Sequence, residues 1–117
     1  MKTSSSSRNI SKLIAKFAAE KKAEEIVALD MRGLVNFCDY FVICSGNTDR
    51  HVKAIADYID EELAKLGQKA RYRQGLNKAD WIVLDNGDVV THIFQKKLRE
   101  FYNLEYLWQE AKPVKWE

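Results

Sequence analysis

The chain has 117 residues, 46% of them hydrophobic and 31% charged, with a net charge of +2. That length suits one domain with a buried core; no apolar run reaches the roughly 20 residues of a membrane span, and the N-terminus lacks the apolar stretch of a secretory signal. The charge is too small for a dedicated nucleic-acid binder, and a cytoplasmic location is expected.

Residues 1–8, with serine at every position from Ser4 to Ser7, read as a flexible tail. A single domain is expected over 9–112, with a C-terminal tail over 113–117. From Asn9, the residues Ile10, Leu13, Ile14, Phe17 and Ala18 line up as one helical stripe, with most of the lysines off it. Ile26–Asp30 reads as a short strand. Tyr40–Cys44 is apolar on both faces and rich in β-formers, which marks a central strand covered on both sides. The chain then turns at Ser45–Gly46–Asn47–Thr48, where Thr48 or Asn47 can cap a helix. Val52, Ile55, Ala56, Ile59, Leu63 and Leu66 form the buried face of that helix. Asp49 suits its N-terminal dipole and Gly67 its C′ position.

Lys69–Arg73 alternates as a half-exposed strand. Lys69, Arg71, Arg73 and Lys78 fall in a stretch, Gly67 to Ala79, that holds no acid. Such charges protect an edge strand from edge-to-edge pairing, or they meet RNA phosphates. Asp80–Asp85 and Asp88–Phe94 are strand-like runs separated by Asn86–Gly87, the favoured pair of a type I′ hairpin. That turn sets a register in which Asp85 faces Asp88, Val83 faces Val90 and Trp81 faces His92. One sheet face then carries Trp81, Val83, Asp85, Asp88, Val90, His92 and Phe94, a mixture of large amphipathic groups suited to an interface. The other carries Ile82, Leu84, Val89, Thr91 and Ile93 and reads as core. Leu98, Phe101, Tyr102 and Trp108 fit a helix packed on the sheet, from which Tyr106 or Trp108 can reach a partner, and Pro113 is expected to end regular structure. The fold class is α/β, a mixed β-sheet flanked by helices in the order α-β-β-α-β-β-β-α.

Catalytic chemistry finds little support. A Ser45–Gly46 turn between strand and helix, with Asp85 and Asp88 downstream, invites a nucleotidyltransferase reading. Those two carboxylates flank a hairpin turn, however, and no pair is spaced two residues apart on one strand face. His51 sits in a first helical turn, where solvation or capping is the ordinary role. Cys38 and Cys44 sit beside large apolar residues and read as buried thiols, and no CxxC or His/Cys cluster suggests zinc. No metal or other cofactor is expected.

Three segments identify a family. Asp39–Tyr40–Phe41–Val42–Ile43–Cys44–Ser45–Gly46–Asn47–Thr48–Asp49–Arg50–His51–Val52 resembles the first signature of the ribosomal silencing factors, or iojap-like proteins. The run from Ala79 through Trp81 and His92 to Phe94 resembles the second, and Arg99–Trp108 the third, in the family's order and over about residues 9 to 110. The resemblance implies a nucleotidyltransferase-like shape without catalytic carboxylates. It also implies binding to the large ribosomal subunit through ribosomal protein L-fourteen, sterically blocking subunit association and repressing translation under nutrient limitation. Carried onto this chain, it makes Trp81 and His92, with Phe94 beside them, the centre of the protein contact, and Arg99 and Tyr102 further candidates. Lys69, Arg71, Arg73 and Lys78 are the candidate rRNA contacts, and a second copy of the chain is a candidate partner off the ribosome. Family members often carry Glu-Gly where this chain has Gln74–Gly75, which removes a negative charge. The competing readings are an enzyme using Ser45, Asp85 and Asp88, and a general RNA-binding module centred on the four basic residues.

Overall fold

The computed structural model describes residues 6–117. Its first helix, α1 (Ser7–Glu20), starts two residues before the expected Asn9 because the Ser6 hydroxyl accepts the Asn9 N–H at 3.2 Å and caps it. The remainder of the expected tail, residues 1–5, lies outside the described residues. The strand β1 (Glu24–Asp30) follows, then β2 (Tyr40–Gly46), whose residues are all buried, as a run apolar on both faces requires. Helix α2 (Asp49–Lys65) is capped by the Thr48 hydroxyl on the His51 N–H at 3.1 Å. It ends in a Schellman motif: Gly67, at φ +74°, donates to Ala64, and Gln68 donates to Leu63.

The strands β3 (Tyr72–Gln74), β4 (Trp81–Asp85) and β5 (Val89–Gln95) complete the main sheet, and α3 (Lys96–Tyr102) and α4 (Leu104–Leu107) follow. Regular structure ends at Pro113, as expected, and it ends in a strand. Lys112–Pro113 forms β6, paired with β1 on the sheet edge, where a missing N–H is tolerated. Beyond it the Val114 N–H donates to Ala28, and Val114 is buried. The sheet order is β3-β4-β5-β2-β1-β6, with β2 and β5 parallel and every other neighbouring pair antiparallel.

The sheet separates two cores. On one face, α1 and α2 cover Tyr40, Val42, Cys44, Ile82, Leu84 and Ile93. On the other, the 31–38 loop and the C-terminal segment cover Phe41, Ile43, Val90 and Phe94 through Met31, Cys38, Leu98, Leu104 and Trp108. The expected division of the β4–β5 hairpin into two faces therefore holds, but the register is shifted by two. Trp81 pairs with Phe94, Val83 with His92 and Asp85 with Val90. The turn pair is Gly87–Asp88 rather than Asn86–Gly87, because the Asn86 N–H donates to Val89 and the Asp85 carboxylate accepts the Gly87 N–H at 2.8 Å. Gly87 has φ +94° at the first turn position, the glycine requirement of a type II′ rather than a type I′ turn. A shift of two preserves strand parity, so the side chains of β4 and β5 stay on their expected faces, while Asp88 moves into the turn.

Candidate functional site

The second sheet face carries the aromatic residues of the sequence motifs, and the structure divides them into buried supports and exposed groups. Trp81 is half-buried on β4, stacked on Phe94 at 4.9 Å between ring centroids and packed on Tyr102 at 4.7 Å. Its indole N–H donates to His92 Nδ1 at 3.1 Å, a diagonal cross-strand contact that survives the register shift. Phe94, a candidate for the contact, is fully buried and lies beneath Trp81.

His92 is also buried. An indole nitrogen only donates, so Nδ1 of His92 accepts and the ring proton sits on Nε2. Nε2 is itself buried without a hydrogen-bond partner, while the Phe41 ring lies edge-on at 4.7 Å. Burial pushes the imidazole pKa down from 6.5 to about 4. The fold therefore holds His92 neutral, and a second proton would turn the acceptor facing Trp81 into a donor. Because the unfolded chain binds that proton more readily, this contribution is complete above pH 6.5 and is lost as the pH falls towards 4. Urea unfolding should show about 2 kcal/mol less stability at pH 5 than at pH 7.5 from this residue. His92→Asn, which keeps an acceptor for Trp81, should flatten that slope; an unchanged slope would mean other groups set it.

Arg99, a further candidate for the contact, is buried. Its guanidinium donates to Ser45 Oγ at 2.9 Å, to the Glu24 carbonyl at 3.5 Å and to both oxygens of Glu105 at 3.4 and 2.5 Å. A bulge in β1, with Glu25 at φ +51°, interrupts the ladder beside that carbonyl. Lys96 adds an ion pair to Glu24 at 2.7 Å, which holds the Glu24 carboxyl below its usual range. Arg99 therefore clamps α3 and α4 to β1 and β2. The clamp carries a surface of exposed Phe101, Tyr102, Tyr106 and Leu107, while Asn103 in the left-handed region turns the chain between the two helices. Trp108 packs inward, edge-on to Phe41 at 6.2 Å. Phe37, in the loop over the same face, is also exposed and adjoins Phe41. Periodicity does not single out Phe37, Phe101 or Leu107 as surface groups; a large apolar residue in a short loop after Gly33 was the available signal for Phe37.

The residues of the enzyme reading do not meet. Ser45 pairs with Phe94 at one end of β2, while the Asp88 carbonyl accepts the Tyr40 N–H at the other. Five residues of strand place them roughly 16 Å apart. The Ser45 hydroxyl is taken by Arg99, and Asp85 by the hairpin turn. Among the described residues no three His, Cys, Asp or Glu side chains converge to hold a metal. Burial pushes the Cys38 and Cys44 thiols up to about 12, leaving them protonated. His51 ties two helices together: Nδ1 accepts from Asn47 and Nε2 donates to the Lys21 carbonyl at 2.8 Å.

The basic candidates divide as well. Arg73, on the α2 side of β3, pairs at 3.2 Å with Asp60, which is buried and also accepts the Ala70 N–H. Lys69, Arg71 and Lys78 are exposed and in no ion pair among the described residues. Gly75, at φ +83°, passes so close to the Trp81 carbonyl that a Cβ would collide with it, which fixes the loop leading into β4. No helix among the described residues is long and apolar enough to cross a membrane.

Comparison with known proteins places the sequence and the fold. The family model described as ribosomal silencing factor during starvation matches residues 4–117. The ribosomal silencing factor of Bacillus subtilis is 43% identical over 104 residues, covering 89% of this chain and 88% of its own. That of Halalkalibacterium halodurans is 38% identical over 112 residues, 96% of each chain. A crystal structure from Chromobacterium violaceum superposes with a TM-score of 0.83 at 30% identity, covering 90% of this chain and 88% of that one. The chain belongs to the ribosomal silencing factor family.

Proposed function

We propose that this protein docks on the large ribosomal subunit through ribosomal protein L-fourteen and, by occupying the joining surface, prevents association with the small subunit, repressing translation when nutrients are scarce. The observation that carries the reading is the aromatic surface built on Trp81: a half-buried indole fixed by His92, Phe94 and Tyr102, with exposed Phe101 edge-on to Tyr102 and exposed Tyr106 and Leu107 on the helix that follows. Rigid, partly exposed aromatic groups rimmed by polar residues are the anchors of a protein interface. Trp81 and Tyr102 are the direct contacts in this reading, while His92, Phe94 and Arg99 hold them in place. The mechanism is steric and makes or breaks no bond; it requires only that the docked protein outcompete the small subunit at prevailing concentrations.

Gradient sedimentation of purified subunits tests it. Saturating protein should shift joined ribosomes into separate subunits and co-sediment with the large one. Unchanged joining with the protein demonstrably bound would overturn the steric mechanism. A cytoplasmic location follows from the same reading.

A further inference from the structure

The edge strand β3 carries a feature that the protein contact leaves unused. Tyr72 is 66% exposed, although tyrosine in a strand ordinarily packs its ring against cross-strand neighbours. Its partner in the register is Asp85, and the next pair on the same face is Gln74 with Val83. Tyr72 thus lies on the face that holds Trp81, at its free edge. Lys69 and Arg71 precede it and Lys78 follows, all exposed and in no ion pair among the described residues. The Arg71 guanidinium lies against the β4–β5 turn at Gly87.

We infer that this edge, Tyr72 with Lys69, Arg71 and Lys78, is a second docking surface that grips unpaired RNA, stacking one base on the Tyr72 ring while the cations meet the flanking phosphates. An open aromatic ring on an edge that also carries unpaired cations suits single-stranded nucleic acid, since every base offers a π-face and every nucleotide a charge. An acidic peptide would satisfy the cations but would leave the flat ring without a purpose. The inference rests on the docking reading to this extent: the edge adjoins the Trp81 surface, so a ligand on it lies beside the bound ribosomal protein, where a ribosomal subunit presents RNA. Arg73 is not part of the grip, because Asp60 already holds it.

The test compares affinity for purified large subunits, for isolated ribosomal protein L-fourteen, and for a ten-nucleotide single-stranded oligouridylate. Tyr72→Leu should weaken binding to subunits about tenfold, Tyr72→Phe should bind within about twofold of wild type, and neither should alter affinity for the isolated protein. The oligouridylate should bind wild type weakly, with a log–log salt slope of about −2 for three phosphate contacts, and Lys69→Gln with Arg71→Gln should bring that slope towards about −1. Subunit binding unaffected by Tyr72→Leu would overturn the inference. So would an equal loss towards the isolated protein, which would make the edge part of the protein contact. If wild type ignores the isolated protein while Tyr72→Leu still weakens subunit binding, the docking reading fails and the RNA grip stands.

Discussion

Trp81→Ala should weaken docking on the large subunit by about 2 kcal/mol or more, roughly thirtyfold, the penalty of an interface hot spot. The indole joins the two halves of the surface: it stacks on buried Phe94, supports half-exposed Tyr102 and takes the only hydrogen bond of the His92 ring found among the described residues. Truncation removes the anchor and also leaves a buried imidazole with neither nitrogen paired. Some loss of fold stability will accompany it, on the order of 2 kcal/mol for a half-buried tryptophan. Affinity must therefore be measured where far-ultraviolet circular dichroism shows the variant folded. Trp81→Phe separates the contributions in part, since it keeps a smaller stacked ring and loses the N–H. Its loss should be nearer 1 kcal/mol. Affinity unchanged in a folded Trp81→Ala variant would place the docking surface elsewhere.

Much of this surface is legible from sequence, and the reason is parity. Strand alternation assigns Trp81, Val83, His92 and Phe94 to one face whatever the turn does, provided the register slips by an even number. The register itself is not legible, because Asn86–Gly87 favours one turn and the local chemistry selects another. The Asn86 side chain donates to the Gln68 carbonyl, and the Asp85 carboxylate captures the Gly87 N–H. The first of these partners lies 18 residues away, beyond any local propensity. Likewise, α2 is readable at both ends, because the Thr48 cap and the Gly67 stop act within four residues.

What escapes local reading is the difference between a residue that supports a surface and one that is exposed on it. A family motif carries Phe94, Arg99 and Trp81 alike, but only a folded sheet shows Phe94 beneath Trp81 and Arg99 beneath the C-terminal helices. The alternation that places Phe94 on the aromatic face cannot say that α3 will roof it. The pairing of Lys112–Pro113 with β1 is hidden for the same reason: two residues have too little pattern to announce a strand, and a proline argues against one.

Arg99→Ala should have the largest effect on the fold, lowering stability in urea unfolding by about 3 kcal/mol. The side chain is almost fully enclosed, and its removal strands the Ser45 hydroxyl, the Glu24 carbonyl and the inward side of Glu105. The estimate sits at the low end for breaking a buried pair because Glu105 remains 35% exposed and can recover water. Against a total of about 5 to 15 kcal/mol for a domain, that loss is large, and it should fall first on the elements the guanidinium joins. Hydrogen exchange should accelerate in α3 and α4 before β2 and β5, because helices this short have few backbone bonds of their own. Arg99→Lys tests the geometry separately from the charge. An ammonium can reach Ser45 or Glu105 but cannot span both as the planar fork does, so its cost should lie between wild type and Arg99→Ala. Glu105→Gln should cost less than either, about 1 kcal/mol, since it leaves the Ser45 and Glu24 bonds in place. Docking should weaken in the same order, because Phe101, Tyr102, Tyr106 and Leu107 ride on the helices that Arg99 clamps. If Arg99→Ala costs less than about 1 kcal/mol, or docks as tightly as wild type, the aromatic surface is held by its own packing and the clamp is incidental.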